Sequence, residues 1–255
     1  MVVPIFKSQY SLGKSILNLS NEDNKDKVCP DSIINICKQN KLKEFCLVDD
    51  SMTGFAEAYK NADDNDLFLV YGLRLTFCED ISIKNEESLS TNCKYIIFIK
   101  NTEGHQDLIK IHDVATKDGF YYQPRMDFKI LKKLWTKNLM LCVPFYDSFI
   151  HKNVLEGKSC IPEFDFIKNV NFLIEDNNLP FDDLLKQSVE EFTQTSKGYN
   201  TVDAQSIYYK DKKDFKAYLT FRCINKRTTL NKPNLEHMCS DTFCFESWKE
   251  KNEKS

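Results

Sequence analysis

The stretch YIIFIKNTEGHQDLIKIHDVATKDGFYYQPRMD (residues 95–127) decides the fold class. It opens on an unbroken apolar run, YIIFI (95–99), which is the pattern of a buried strand. From 103 to 119, Leu108, Ile111, Val114 and Ala115 recur at helical spacing, and Gly119 stands in the C′ position where a helix stops. A buried strand leading into an amphipathic helix is a βα unit, and the same alternation continues on both sides. Upstream, VVPIF (2–6) reads as a strand. A helix over 31–40 with Asp31 or Ser32 able to cap it follows, then the strand FCLVDD (45–50), a short helix at 54–61 and the strand LFLVYGLRL (67–75). The polar stretch 79–93 reads as a loop. Downstream come a helix at 127–136, the strands LMLCV (139–143) and VNFLI (170–174), a helix at 181–195, TVDAQS (201–206) and a last helix over 211–223. Pro180, Asp182 and Asp183 open the helix at 181–195, where acids suit the helix dipole.

About seven strands alternating with helices around a parallel sheet predict an α/β distorted barrel, (β/α)7 and TIM-like. Residues 1–247 form the barrel domain in this reading, and 248–255 a charged mobile tail. A barrel carries its working side chains at the C-terminal ends of its strands. Those ends fall near 5–8, 49–50, 72–75, 99–101, 143–146, 174–176 and 205–208.

Composition narrows the chemistry. A net charge of −3 over 255 residues gives no bulk attraction to nucleic acid or acidic membranes. The 42% hydrophobic residues, with 19 Phe and 11 Tyr, suffice for a sizeable core. The longest apolar runs are far shorter than a membrane span, so a soluble cytoplasmic protein without membrane partners is expected. The seven glycines, at 13, 54, 72, 104, 119, 157 and 198, are too scattered to build a phosphate-binding loop. Neither GxSxG nor HExxH occurs, since the histidines stand at 105, 112, 151 and 237. Ten cysteines include no CxxC, and His237, Cys239 and Cys244 make a poor zinc set. The cysteines read as small buried hydrophobes in a reducing compartment.

Several strings resemble one family, the PHP (polymerase and histidinol phosphatase) domain that opens the alpha subunits of bacterial replicative C-family DNA polymerases. SQYSLGKSIL (8–17) is similar to the family's HSxYSLLDGL, and LVDDSMTGFAEAYKNA (47–62) to its iTDHgnmfGaveFykaA segment. LVYGLRL (69–75) takes the place of PIIGcEl, and residues 95–127 resemble hLvLLAkNeeGyrNLlkLvS…GFYykPRiD. Residues shared with these strings include Tyr10, Gly54, Gly72, Asn101, Gly104, Gly119, Phe120, Pro124 and Arg125. FLIEDNNLPFDDLLKQSVEEF (172–192), TVDAQSIYYKDKKDF (201–215) and SDTFCFES (240–247) resemble later segments in order, so the resemblance covers nearly the whole chain. It implies a PHP-type barrel.

Active members of that family bind up to three metals through His, Asp, Glu and sometimes Cys. Carried onto this sequence, the resemblance puts those ligand positions on Ile5, Lys7, Lys14, Asp49, Asp50, Arg74, Lys94, Phe145, Ser206 and Tyr208. Ammonium and guanidinium groups have no lone pair to give. Two unit charges 4 Å apart repel by ~4 kcal/mol at an effective dielectric near 20, and a divalent ion roughly doubles that. The expectation is a degenerate metal pocket without cofactor, in which Lys7, Lys14, Arg74 and Lys94 replace cations and Asp49 and Asp50 are counter-charges.

The function then expected is a non-catalytic scaffold or docking module of a polymerase III alpha-type replicative polymerase. Its implied partners are the polymerase body, the proofreading exonuclease subunit or both, with at most weak nucleic-acid contact. In this reading the chain ends where the family continues into the palm. Two alternatives stay open. One is a divergent phosphoesterase or 3′–5′ exonuclease around Asp49, Asp50 and Asp203; the other is an anion or single-strand binder with a lysine-rich mouth. The cluster Phe120-Tyr121-Tyr122 with Arg125 could stack bases and meet phosphate, but shell packing with Arg125 in a salt bridge is the simpler reading.

Overall fold

The computed structural model describes residues 2–11, 13–21, 30–231 and 240–253. The expected strands β1 (Val3–Phe6), β2 (Glu44–Asp49), β3 (Phe68–Phe77), β4 (Cys93–Ile99), β6 (Leu139–Val143), β7 (Val170–Ile174) and β8 (Tyr199–Ile207) all form, and the two-residue β5 (Arg125–Met126) joins them. Their hydrogen-bonded order is β2-β1-β8-β7-β6-β4-β3-β5, with β2 also paired to β3. Seven strands therefore close on themselves and β5 hangs from β3, which is the closed barrel the sequence predicts.

The helices are α1 (Ile33–Gln39), α2 (Phe55–Asp63), α3 (Glu86–Ser90), α4 (Thr102–Lys117), α5 (Phe128–Leu134), α6 (Phe149–Leu155), α7 (Asp182–Thr193), α8 (Phe215–Lys226) and α9 (Phe245–Glu253). Polar side chains open several of them by taking an orphan backbone N–H. Ser32 accepts from Asn35 N, Asn101 from Gly104 N, Asp127 from Ile130 N and Ser148 from His151 N. α8 stops where Arg227 turns left-handed at φ 54°.

Two readings are corrected here. The sheet is not all parallel: β4 runs antiparallel to both β3 and β6. The stretch read as a loop contains the five-residue α3, and it returns the chain as an antiparallel neighbour of β3. The segment set apart as a mobile tail is helical through Glu253, with Trp248 Nε1 donating to Val2 O at 2.8 Å.

The chain divides into two compact units. The first comprises Met1–Tyr71, Glu175–Asp182 and Asp203–Ser255; the second comprises Gly72–Ile174 and Asp183–Val202. In the first, β1 lies between β2 and the end of β8, all parallel, with Phe6, Leu47 and Ile207 fully buried. Tyr208, Tyr209 and Tyr218 stack beside them. In the second, β4 lies between β3 and β6, and rings of Phe77, Tyr95, Phe128, Phe149, Phe164 and Phe172 pack edge to face. Eight described cysteines are free and buried, as expected, while His237 and Cys239 lie outside the described residues.

Candidate functional site

In the first unit, the parallel register Phe6↔Leu47 and Phe6↔Ile207 brings Lys7, Asp49-Asp50 and Tyr208 to the same ends of β1, β2 and β8. Lys7 is 4% exposed and its Nζ donates to Val48 O at 2.9 Å, 3.6 Å from Asp50 Oδ1. Lys14 Nζ lies 2.8 Å from Asp50 Oδ2. One carboxylate thus sits between two ammonium groups.

Asp49 is fully buried and already occupied. Its oxygens accept from Ser8 N at 2.9 Å, Ser8 Oγ at 2.6 Å and Ser11 Oγ at 2.7 Å, which ties the turn after β1 to the end of β2. Tyr10 donates to Glu57 Oε2 at 2.7 Å, and this bond to the carboxylate, with some burial, holds the phenol above its ordinary pKa. A Cβ at Gly54 would stand 2.4 Å from the Tyr10 ring, so only glycine lets the two approach.

Glu175, directly after β7, is a site residue that the sequence reading missed. It accepts from Ser206 N at 2.9 Å, Ser206 Oγ at 2.8 Å and Asn177 Nδ2 at 3.0 Å. Burial pushes its carboxyl pKa up, while these hydrogen bonds oppose the rise. The available signal was an acid immediately following VNFLI, at one of the strand ends. Tyr208 is spent on packing, with ring centroids 5.7 Å from Tyr218 and 5.6 Å from Phe243, and Ile5 is buried.

The carboxylate group Asp49, Asp50 and Asp203 is not assembled. Asp203 precedes Ala204, the partner of Val3 at the start of β1, whereas Asp49 and Asp50 follow the far ends. At ~3.3 Å per residue the separation along the strands is roughly 20 Å.

In the second unit, Arg74 is buried on β3 and its Nη2 stands 2.5 Å from Asp147 Oδ2 and 3.4 Å from Tyr146 O. Lys94 donates to Thr76 Oγ1, and its Nζ is 3.5 Å from Gln123 Oε1. Because β4 is antiparallel, with Thr76↔Lys94 and Arg74↔Ile96 in register, it is the start of β4 that joins the end of β3. Residues 99–101, the expected strand end there, lie at the other end. Asn101 instead caps α4, accepting from Gly104 N at 2.8 Å, and a Cβ on Gly104 would meet Asn138 O at 2.5 Å. Phe145 is fully buried.

The shared motif residues around 119–125 hold one another. Arg125 has no exposed surface; it donates to the carbonyls of Gly119, Ile81 and Ile83 at 3.1, 3.3 and 3.1 Å and to Ser88 Oγ at 3.3 Å. These oxygens replace the salt bridge expected for it, and full burial removes it from phosphate. Gly119 does not use a left-handed conformation. It is required because a Cβ would stand 2.0 Å from Arg125 O. Pro124 leads into β5, and Phe120 and Tyr122 are exposed, Tyr122 with φ 58°. The Gly72 Cβ position would meet the Phe98 ring at 2.7 Å.

Among the described residues, no three His, Cys, Asp or Glu side chains are grouped to share a metal ion. The donors at the strand ends do not fit one: Lys7, Lys14, Arg74 and Lys94 carry charge of the wrong sign, and Asp49 is consumed by hydroxyls. No helix of the described residues is long and apolar enough to cross a membrane.

Comparison with known proteins gives a match to the PHP domain family model over residues 24–177. The alpha subunit of DNA polymerase III from Aquifex aeolicus (strain VF5) is 25% identical over 149 residues, 55% of this chain and 12% of that protein. The corresponding subunit from Thermus aquaticus is 23% identical over 154 residues, 58% of this chain and 12% of that protein. The aligned part thus spans about an eighth of the curated relatives.

Proposed function

The chain belongs to the PHP domain family, and from that premise we propose that it is a non-catalytic PHP domain of a polymerase III alpha-type replicative polymerase, acting as a scaffold or subunit-docking module. The observation that carries this reading is the charge arrangement at the strand ends. Asp50 is held between Lys7 and Lys14, and Arg74 is held on Asp147. Side chains supply the positive charge that a metallohydrolase would take from its ions. A phosphoester needs a Lewis acid or an activated water, and these groups offer neither. Asp203, the third acid of the enzymatic alternative, lies at the far end of its strand.

What such a domain keeps is shape. The likeness to polymerase alpha subunits supports a polymerase body, a proofreading exonuclease subunit or both as partners. The test is to mix the full tagged chain with the polymerase-body and exonuclease chains of the same source and follow comigration by size-exclusion chromatography. A stable complex with either is expected. Failure to bind both removes the scaffold role, and stoichiometric zinc or manganese with chelator-sensitive hydrolysis removes the non-catalytic one.

A further inference from the structure

Cys93 opens β4, immediately before Lys94, and Cys160 lies in the segment between α6 and β7 that forms no helix or strand. The two thiols lie close enough for each to shift the other's titration. Asn153 on α6 fixes the Cys160 backbone in both senses, accepting from Cys160 N at 2.8 Å and donating to Cys160 O at 2.9 Å. Cys160 Sγ also reaches Thr91 O at 2.9 Å, which aims it at the start of β4. Both sulfurs line one cavity of about 460 Å³, together with Cys78, Glu79, Phe128 and Glu163. Both residues are buried, and this cavity is the space that their sulfurs share.

We propose that Cys93 and Cys160 form a thiol–disulfide exchange site that takes low-molecular-weight disulfides from this cavity. Cys160 is the attacking group. Interaction with Cys93, helped by the Lys152 and Lys158 ammonium groups and opposed by burial and by Glu156, lowers its pKa, while the same interaction and burial raise that of Cys93. The Cys160 thiolate attacks one sulfur of a disulfide RSSR, forming a mixed disulfide and expelling RS⁻, which takes up a proton. Cys93 then gives up its proton to solvent and attacks the Cys160 sulfur, expelling the second RS⁻, which is likewise protonated. Two protein thiols are oxidised to one disulfide and one RSSR is reduced to two RSH. The new bond joins the 156–169 segment to the strand that carries Lys94.

Cys78 is the internal control, because it lines the same cavity while burial pushes its pKa up to about 11. The experiment exposes the full folded chain to oxidised glutathione at neutral pH, quenches with an alkylating reagent and maps thiols by mass spectrometry. Expected are the loss of two alkylatable thiols, one Cys93–Cys160 cross-link and its reversal by dithiothreitol. Cys93→Ala is expected to retain glutathione on Cys160. Without glutathione, Cys160 in the wild-type chain should be alkylated at pH 7 several-fold faster than Cys78, since a higher thiolate fraction outweighs lower intrinsic nucleophilicity. Persistence of both free thiols, a glutathione adduct on wild-type Cys160 that never resolves, or a bond between other cysteines would overturn the assignment.

Discussion

Arg74 Nη2 stands 2.5 Å from Asp147 Oδ2, with the guanidinium almost wholly buried and the carboxylate about half exposed. Asp147 holds φ 60° while it does so, a left-handed conformation that Asp tolerates better than most residues.

Reversing that cation should cost more than removing it. Arg74→Met is expected to lower stability by about 1–2 kcal/mol, because Asp147 can turn toward water, and Arg74→Glu by about 3 kcal/mol or more. Urea unfolding measures both. Equal losses would mean that Arg74 acts only through packing.

Asp49→Ala should destabilise by about 3 kcal/mol, since it strands the Ser8 amide and two hydroxyls that now share a buried carboxylate. Ser8→Ala and Ser11→Ala are expected to cost about 1 kcal/mol each. An Asp49→Ala chain as stable as wild type contradicts the structural role given to this acid.

Metal should leave the fold indifferent. Neither a chelator nor added zinc or manganese is expected to move the thermal midpoint. A ligand at about a hundred times its Kd stabilises by about 2.7 kcal/mol, so a real site would be plain in the melting curve.

Glu175 sets a pH signature. Burial raises its folded pKa above the ordinary glutamate value, so its contribution is full below that ordinary value and is lost as pH climbs through the raised one. The stability of wild type minus that of Glu175→Gln is therefore expected to fall as pH rises above the ordinary glutamate value. Chemical denaturation at a series of pH values from acid to neutral measures it, and a flat difference contradicts the burial argument.

Arg125→Lys should lose about 2 kcal/mol although charge is kept, because a lysine cannot serve three carbonyls and a hydroxyl from one planar fork. A neutral outcome by urea unfolding would show those bonds to be dispensable.

Much of the fold could be read directly. β6 and β7 form over the residues predicted, and β2 and β4 within a residue or two, because long apolar runs admit few other fates. Less legible were α6, whose seven residues bury only Phe149 and Ile150, and α9, whose charged face shows no core stripe. α9 is held by contacts far apart in sequence: Trp248 to Val2 O and Lys251 Nζ to Gln205 Oε1 at 2.9 Å. Local periodicity carries no trace of them.

The candidate site divides the same way. Its ingredients, lysines and an arginine where ligands are expected, stand in the one-dimensional string, since the sign of a side chain is a property of its residue type. Their pairings are not written there. That Lys14 meets Asp50, that Glu175 takes Ser206 and that Lys94 joins β3 through the start of β4 were decided by tertiary structure. The physical reason is that an apolar strand pattern reads the same in either direction. Only the hydrogen bonds between neighbouring strands fix which end of a strand, and so which side chains, come together.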